Sequence, residues 1–321
     1  MSFKDIRGQD QPIQILQEYI RQARLGSSYL FLGPEGVGKY LVAKTLAKAL
    51  NCENQIVDSC DHCASCLKIE KNEHPDVHWV GEEPSDSLKI EDIRRLKKEI
   101  SLKPYEGKKK IFILNPAHLL TAEASNALLK ILEEPPARSL IILISSKFNL
   151  LFKTIISRCR ILRFYPLKKS TLAEILRQDY QLEEAAAHFL AYFCEGRIGY
   201  GLRLKDTDIL KEKNRLIDEF FFKRGPYAQD LSLQNKENLR HCLNILAGWF
   251  RDMYFIKIGI PHAQLINLDR KNELLRLMHR YTFLDLDGIL SFISCALRYL
   301  EENINLKLLF SNLKMELAST I

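Results

Sequence analysis

Leu30-Phe31-Leu32-Gly33-Pro34-Glu35-Gly36-Val37-Gly38-Lys39-Tyr40 is the stretch that decides the fold. An apolar run with strand character feeds a G-x-x-x-x-G-K turn and then a helix. In that context backbone N–H groups and a lysine face nucleotide phosphates. Gly33, Gly36, Gly38 and Lys39 are therefore the candidate phosphate-binding residues, toward ATP or ADP. The next position calls for Ser or Thr, whose hydroxyl holds the Mg²⁺ that bridges the terminal phosphates. Tyr40 stands there instead, with its oxygen at the far end of a rigid ring. The cradle is kept and a metal ligand is lost, so any nucleotide is expected to bind weakly.

Working outward, Ile13, Leu16 and Ile20 recur at helical spacing over residues 10 to about 24, with Asp10 as the expected N-cap and Pro12 in the first turn. Further helices are predicted over residues 39–50, 90–102 and 122–134, the last capped by Thr121 and stopped by Pro135-Pro136. Short continuous apolar runs at 111–114 and 140–144 alternate with these helices. That pattern predicts an α/β domain whose mostly parallel sheet is flanked by helices. After Tyr165-Pro166 no further strand is read. Short helices lead to about residue 205, and longer ones follow, with Leu286, Ile289, Leu290, Ile293, Leu297 and Leu300 on one helical face. The expected domains are 1–165, 166–207 and 208–321.

Cys52, Cys60, Cys63 and Cys66 hold four of the chain's eight cysteines in the pattern C-x₇-C-x₂-C-x₂-C, a module at about residues 51–70. Four thiolates suit tetrahedral Zn²⁺, and with every position filled by sulfur the ion would be structural. His62 is the weaker ligand candidate, and Cys194, Cys242 and Cys295 read as small packing residues. Composition is that of a soluble protein, 46% apolar and 27% charged in 321 residues, and a net charge of +7 is a weak signal for a nucleic acid partner. No apolar run reaches membrane-spanning length and the first residues lack an apolar signal core, so no membrane partner is expected and the chain is read as cytoplasmic.

A hydrolysing nucleotide site needs a second half: an acid that holds Mg²⁺ and a base for the attacking water, both at the end of another strand. Here the run 111–114 ends in Asn115-Pro116-Ala117-His118. Asn115 has no charge for a metal and Pro116 no side-chain base. Together with Tyr40, three losses point one way, and hydrolysis by this chain is expected to be negligible. His118 has no metal beside it to serve.

These residues resemble the bacterial DNA polymerase III clamp-loader subunits of the AAA+ class, and most closely the delta-prime branch that does not act as the motor. The resemblance runs over nearly the whole chain. It is carried by Phe3-Lys4-Asp5-Ile6-Arg7-Gly8-Gln9, the loop at 33–39, Ala47-Lys48-Ala49-Leu50-Asn51-Cys52, and Ala124-Ser125-Asn126-Ala127-Leu128-Leu129-Lys130-Ile131-Leu132-Glu133-Glu134-Pro135. Thr154-Ile155-Ile156-Ser157-Arg158-Cys159-Arg160 is the most specific segment, and Trp249-Phe250-Arg251-Asp252 and Asn303-Ile304-Asn305 add weaker support. The resemblance implies an AAA+ nucleotide-binding-like domain with an inserted four-cysteine zinc module, a helical lid and an all-helical collar. It makes Arg158 an arginine finger acting in trans on a neighbour's ATP.

It also implies as partners the tau/gamma and delta subunits in a hetero-oligomeric ring, with the sliding clamp and primer–template DNA reached through the complex. The chain would take part in DNA replication without catalysis of its own. Two departures stand out. Gly199 lies where motor subunits carry a phosphate-sensing arginine, and the polar residue at the end of the strand before the triplet is either Ser145 or Ser146. The apolar helical stripes fit either a collar shared with partner chains or an intramolecular core. Two other functions compete: an ATP-hydrolysing tau/gamma-like motor, and a zinc-dependent DNA-binding module using Lys97, Lys103 and Lys108 to Lys110.

Overall fold

Short apolar runs become the strands of one parallel sheet: β1 (Ser28–Leu32), β2 (Val77–Val80), β3 (Lys110–Leu114), β4 (Ser139–Ser145) and β5 (Arg160–Arg163), in the order β2-β3-β4-β1-β5. The structure is a computed structural model that describes residues 1–81, 87–222 and 236–301. Asn303-Ile304-Asn305 lies outside the described residues. β1, β3 and β4 are buried along their whole length, as strands covered on both faces must be.

Successive side chains on these strands point to opposite faces and build two cores. Tyr29, Phe31, Ile111, Ile113, Leu140, Ile142 and Ile144 pack with α1 (Asp10–Arg21), α2 (Lys39–Asn51) and, through Ile69, α3 (Ala64–Glu70). Leu30, Phe112, Leu114, Ile141 and Leu143 pack with α4 (Ile90–Ile100), α5 (Ala122–Glu133) and, through Ile155, α6 (Lys153–Ile156). Each such side chain contributes about 1.5–3 kcal/mol when fully buried. The two helical layers therefore fix the strand register, and with it both ends of the sheet.

Local details differ from the sequence expectations in instructive ways. Asp10 is not the N-cap of α1; Gln9 takes that place, and the helix ends at Arg21. Thr121 caps α5 as expected, its side chain accepting the Ala124 amide at 3.2 Å. β2 and β5 escaped notice because they are the sheet's edges. His78 interrupts one, and Arg160 and Arg163 leave only Leu162 of the other buried. Charged or polar edge strands resist pairing with other chains.

Compactness divides the chain into one unit of Met1–Leu167 with Arg197–Gly199 and a second of Lys168–Gly196 with Tyr200–Ile321. The second is helical: α7 (Lys169–Gln178) pairs with α8 (Glu184–Phe193), followed by α9 (Ile198–Lys205), whose first residues belong to the other unit, and α10 (Ile209–Phe221). Next come α11 (Lys236–Lys257), α12 (Lys271–Leu277) and α13 (Phe283–Glu301). Trp249, Phe250 and Met253 on α11 are fully buried, and Leu286, Ile289, Ile293 and Leu300 bury the α13 stripe within the chain itself. Asp252, also fully buried, accepts the Ile266 and Asn267 amides at 3.0 and 2.7 Å. Among the described residues no helix is long and apolar enough to cross a membrane.

One polar clamp fixes the approach to β2 and β3. Asp76 is fully buried, and its carboxylate accepts backbone N–H groups from Tyr105, Glu106 and Gly107 at 2.7, 2.9 and 2.7 Å. Burial opposes its ionisation, yet the three amides hold its carboxyl below the usual carboxylate range. A depressed folded value stabilises the protein at neutral pH, and that contribution is lost as pH falls through it. Asp76→Ala should lower unfolding free energy in urea at pH 7 by about 2–4 kcal/mol, because three buried donors lose their acceptor. A change below about 0.5 kcal/mol would show that the clamp is dispensable.

Candidate functional site

β1 ends where the backbone must turn sharply, and Gly33 meets that need: a Cβ there would stand 2.2 Å from the Phe164 carbonyl oxygen. Gly38, at φ +100°, precedes α2 in a conformation that side-chain-bearing residues avoid. Gly33, Gly36, Gly38 and Lys39 thus lie in one tight turn between β1 and α2, at the carboxyl edge where open α/β sheets hold their ligands. Lys39 folds back into it, Nζ donating to the Gly33 and Pro34 carbonyls at 2.5 and 2.6 Å. Burial pulls its pKa down to about 8.

Residues around the loop tie down its backbone. Gln9, buried, donates its side-chain amide to the Val37 carbonyl at 3.0 Å and to the Tyr165 carbonyl at 2.7 Å. The Gly199 amide donates to the Gly36 carbonyl at 2.7 Å, and a Cβ on Gly199 would come within 3.0 Å of that same oxygen. Tyr40 turns its ring to Trp79, centroids 4.9 Å apart.

The neighbouring strand ends offer little chemistry. Asn115, after β3, donates its backbone amide to the Val80 carbonyl at 3.0 Å. His118 Nδ1 lies 3.3 Å from Ser145 Oγ, and the Ser145 carbonyl accepts the Gly33 amide at 3.2 Å. Burial, with Lys147 and Lys39 nearby, holds His118 below the usual histidine range and so neutral near pH 7. Of the two serines the sequence left open, Ser145 is the one buried beside the loop.

Cys52, Cys60, Cys63 and Cys66 come together at the opposite end of α2 from the loop, with Cys52 as the helix C-cap. Their sulfurs all lie within 4.8 Å of one another, against about 3.8 Å between sulfurs bound to one zinc. Backbone amides already point at them: Gln55 to Cys52 at 3.3 Å, Cys63 to Cys60 at 3.3 Å, Cys66 to Cys63 at 3.4 Å. Burial and neighbouring thiols push Cys66 up, while against desolvation the backbone amides bring Cys60 down to about 6. Four sulfurs gathered this closely could hold a metal ion, which would favour the thiolate on all four. His62 turns Nδ1 to the Cys60 carbonyl at 2.6 Å and stays outside the sulfur cluster.

Arg158 is not brought to this loop. β1 and β5 run parallel, with Tyr29 opposite Arg160 and Leu32 opposite Arg163. The loop leaves the carboxyl end of β1, whereas Arg158 stands two residues before the amino end of β5. From Tyr29 to Gly33 alone the strand spans about 13 Å. Arg158 instead bonds to Glu133, Nε to Oε1 at 2.8 Å, and to the Thr154 carbonyl at 3.0 Å. Half-buried Cys159, pushed up to about 12 by desolvation, is an inert neighbour. Lys108 and Lys110 are engaged internally, with the Cys52 carbonyl and with Glu99, which leaves a smaller basic surface than the sequence suggested. Gln9, Ser145 and Glu133 acquire their roles only through contacts distant in sequence.

Comparison with known proteins identifies related chains. Residues 8–168 match the family described as DNA polymerase III, delta subunit, and residues 207–317 match its C-terminal family. The delta' subunit of DNA polymerase III from Bacillus subtilis is 31% identical over 262 residues, 78% of each chain. The tau subunit from the same organism is 32% identical over 267 residues, 78% of this chain and 47% of its own length, so the chain spans about half of that relative. A solved gamma subunit-related protein of DNA polymerase III from Thermotoga maritima superposes with a TM-score of 0.45 at 16% identity, covering 97% of this chain and 100% of the other. With a family match over half its length and a delta' relative covered for more than three quarters, the chain belongs to the DNA polymerase III clamp-loader subunit family.

Proposed function

We propose that this chain is a non-hydrolysing, delta-prime-like subunit that completes a neighbouring subunit's ATP site with Arg158 while the sliding clamp is placed on primed DNA. The observation that carries the reading is the separation of Arg158 from its own phosphate loop, at opposite ends of parallel strands. A guanidinium there has no triphosphate of its own chain within reach. It is always charged and forks onto phosphate oxygens, so it can offset the charge that develops as a neighbour's terminal phosphoryl group departs.

The loop supports the same reading from the other side. Tyr40 is committed to Trp79, Lys39 to its own loop's carbonyls, and residues 115–118 bring no carboxylate. Gly33, Gly36, Gly38 and Lys39 then serve mainly as a rigid turn, with weak affinity for ATP or ADP. Cys52, Cys60, Cys63 and Cys66 would hold a structural Zn²⁺ that ties their module together. Tau/gamma and delta subunits are the expected ring partners, with the clamp and primer–template DNA met through the assembly in a cytoplasmic setting. A tau/gamma-like motor is the second reading, favoured by 32% identity to a tau subunit.

Three measurements bear on this. The isolated chain with Mg²⁺ and ATP should show no turnover above buffer; rates matching an active motor would establish the second reading. In a ring with the cognate tau/gamma-type subunit, Arg158→Ala should cut ATP turnover at the completed site at least about ten-fold, and Arg158→Lys should not restore it. Unchanged turnover would remove Arg158 from the site. Elemental analysis should find one zinc per chain, with Cys63→Ser losing the metal and lowering the unfolding temperature. A metal-free native chain of equal stability would refute the zinc assignment.

A further inference from the structure

The guanidinium of Arg158 is turned back onto its own chain. Nε donates to Glu133 Oε1 at 2.8 Å and Nη2 reaches the same oxygen at 2.5 Å. Nη1 donates to the Thr154 carbonyl at 3.0 Å and to Ser157 Oγ at 3.4 Å. Three of its nitrogens are thus spent at home, in a group whose five N–H donors are its means of recognising phosphate.

Glu133 is placed for this by the helix it closes. It is the last residue of α5, with Glu134 as C-cap. Acidic side chains at a helix C-terminus meet the negative end of its dipole and gain from a cation. Both arms of the contact are anchored: Leu132 on α5 and Ile155 on α6 belong to the same buried core. Release of Arg158 therefore calls for rotation of its side chain and no movement of backbone.

We propose that Glu133 is a latch: a positioning residue that keeps the Arg158 guanidinium on its own chain until the terminal phosphate of a neighbour's ATP displaces the carboxylate. This inference rests on the in-trans reading of Arg158. Nε and Nη2 share one Glu133 oxygen, and a phosphate can offer that same edge of the guanidinium an oxygen for each nitrogen, so it can replace the carboxylate without loss of donors. The side chains of Arg158 and Glu133 remain 33% and 49% exposed, and ion pairs so open to water are weak. The latch is easily opened by a more highly charged competitor and stays shut without one. It lowers the competent fraction of Arg158 by roughly two- to five-fold.

The test uses the reconstituted ring with the cognate tau/gamma-type subunit and ATP. Glu133→Gln should lower the ATP concentration for half-maximal turnover by about two- to five-fold, and the same change in an Arg158→Ala background should be silent. A purely structural Glu133 would instead affect both backgrounds alike. An unchanged or raised half-saturation, with Arg158→Ala still reducing turnover, overturns the latch and spares the finger. No effect of Arg158→Ala overturns both. In the isolated chain the ¹⁵Nε–H resonance of Arg158 should move on Glu133→Gln, and a stationary signal refutes the contact. If Glu133→Gln unfolds the chain, Glu133→Asp, which keeps the charge and withdraws the oxygen, should move half-saturation and resonance in the same direction, and no movement refutes the latch.

Discussion

Burial of three parallel strands between two helical layers is the constraint on which the rest depends. Once β1, β3 and β4 are covered on both faces, their direction and register cannot slip without exposing a whole set of apolar side chains. Direction then has functional meaning. Every strand-to-helix turn at the carboxyl edge can build a nucleotide cradle, while a residue that enters a strand at the amino edge is barred from it. Gly33 and Arg158 fall on opposite sides of that rule.

The polar groups follow the same economy. Lys48, nearly inaccessible on α2, is met by Asp61 at 2.8 Å and Glu70 at 2.6 Å, which fastens the cysteine segment to the helix. Asn51 exchanges hydrogen bonds with Lys109, its Nδ2 donating to the carbonyl and its Oδ1 accepting the amide, at 3.0 and 2.9 Å. Buried polar groups such as these are tolerated because each has a partner, and they join segments that an apolar core would leave free to slide.

Much of this was legible in the chain of letters because the physics involved is local. The phosphate loop, the capped helix after Thr121 and the cysteine spacing each declare themselves within a dozen residues. β2 and β5 did not, since an edge strand needs only one buried side chain in two and can carry His78 or Arg160 at no cost. That Ser145 is the serine buried at the end of β4 depends on the register of that strand, and the partnership of Glu133 with Arg158 joins residues 25 apart in sequence. Periodicity carries no information about such distant pairs. The resemblance supplied Arg158 as a candidate, but only strand direction shows that its own loop is beyond its reach.

α2 runs from the glycine turn to the cysteine cluster, opening after Gly38 and closing on Cys52. Thirteen residues make it a stiff rod of roughly 20 Å. Packed along Val42, Ala43, Leu46, Ala47 and Ala49 into one dense core, such a rod cannot shift at one tip without disturbing the packing at the other.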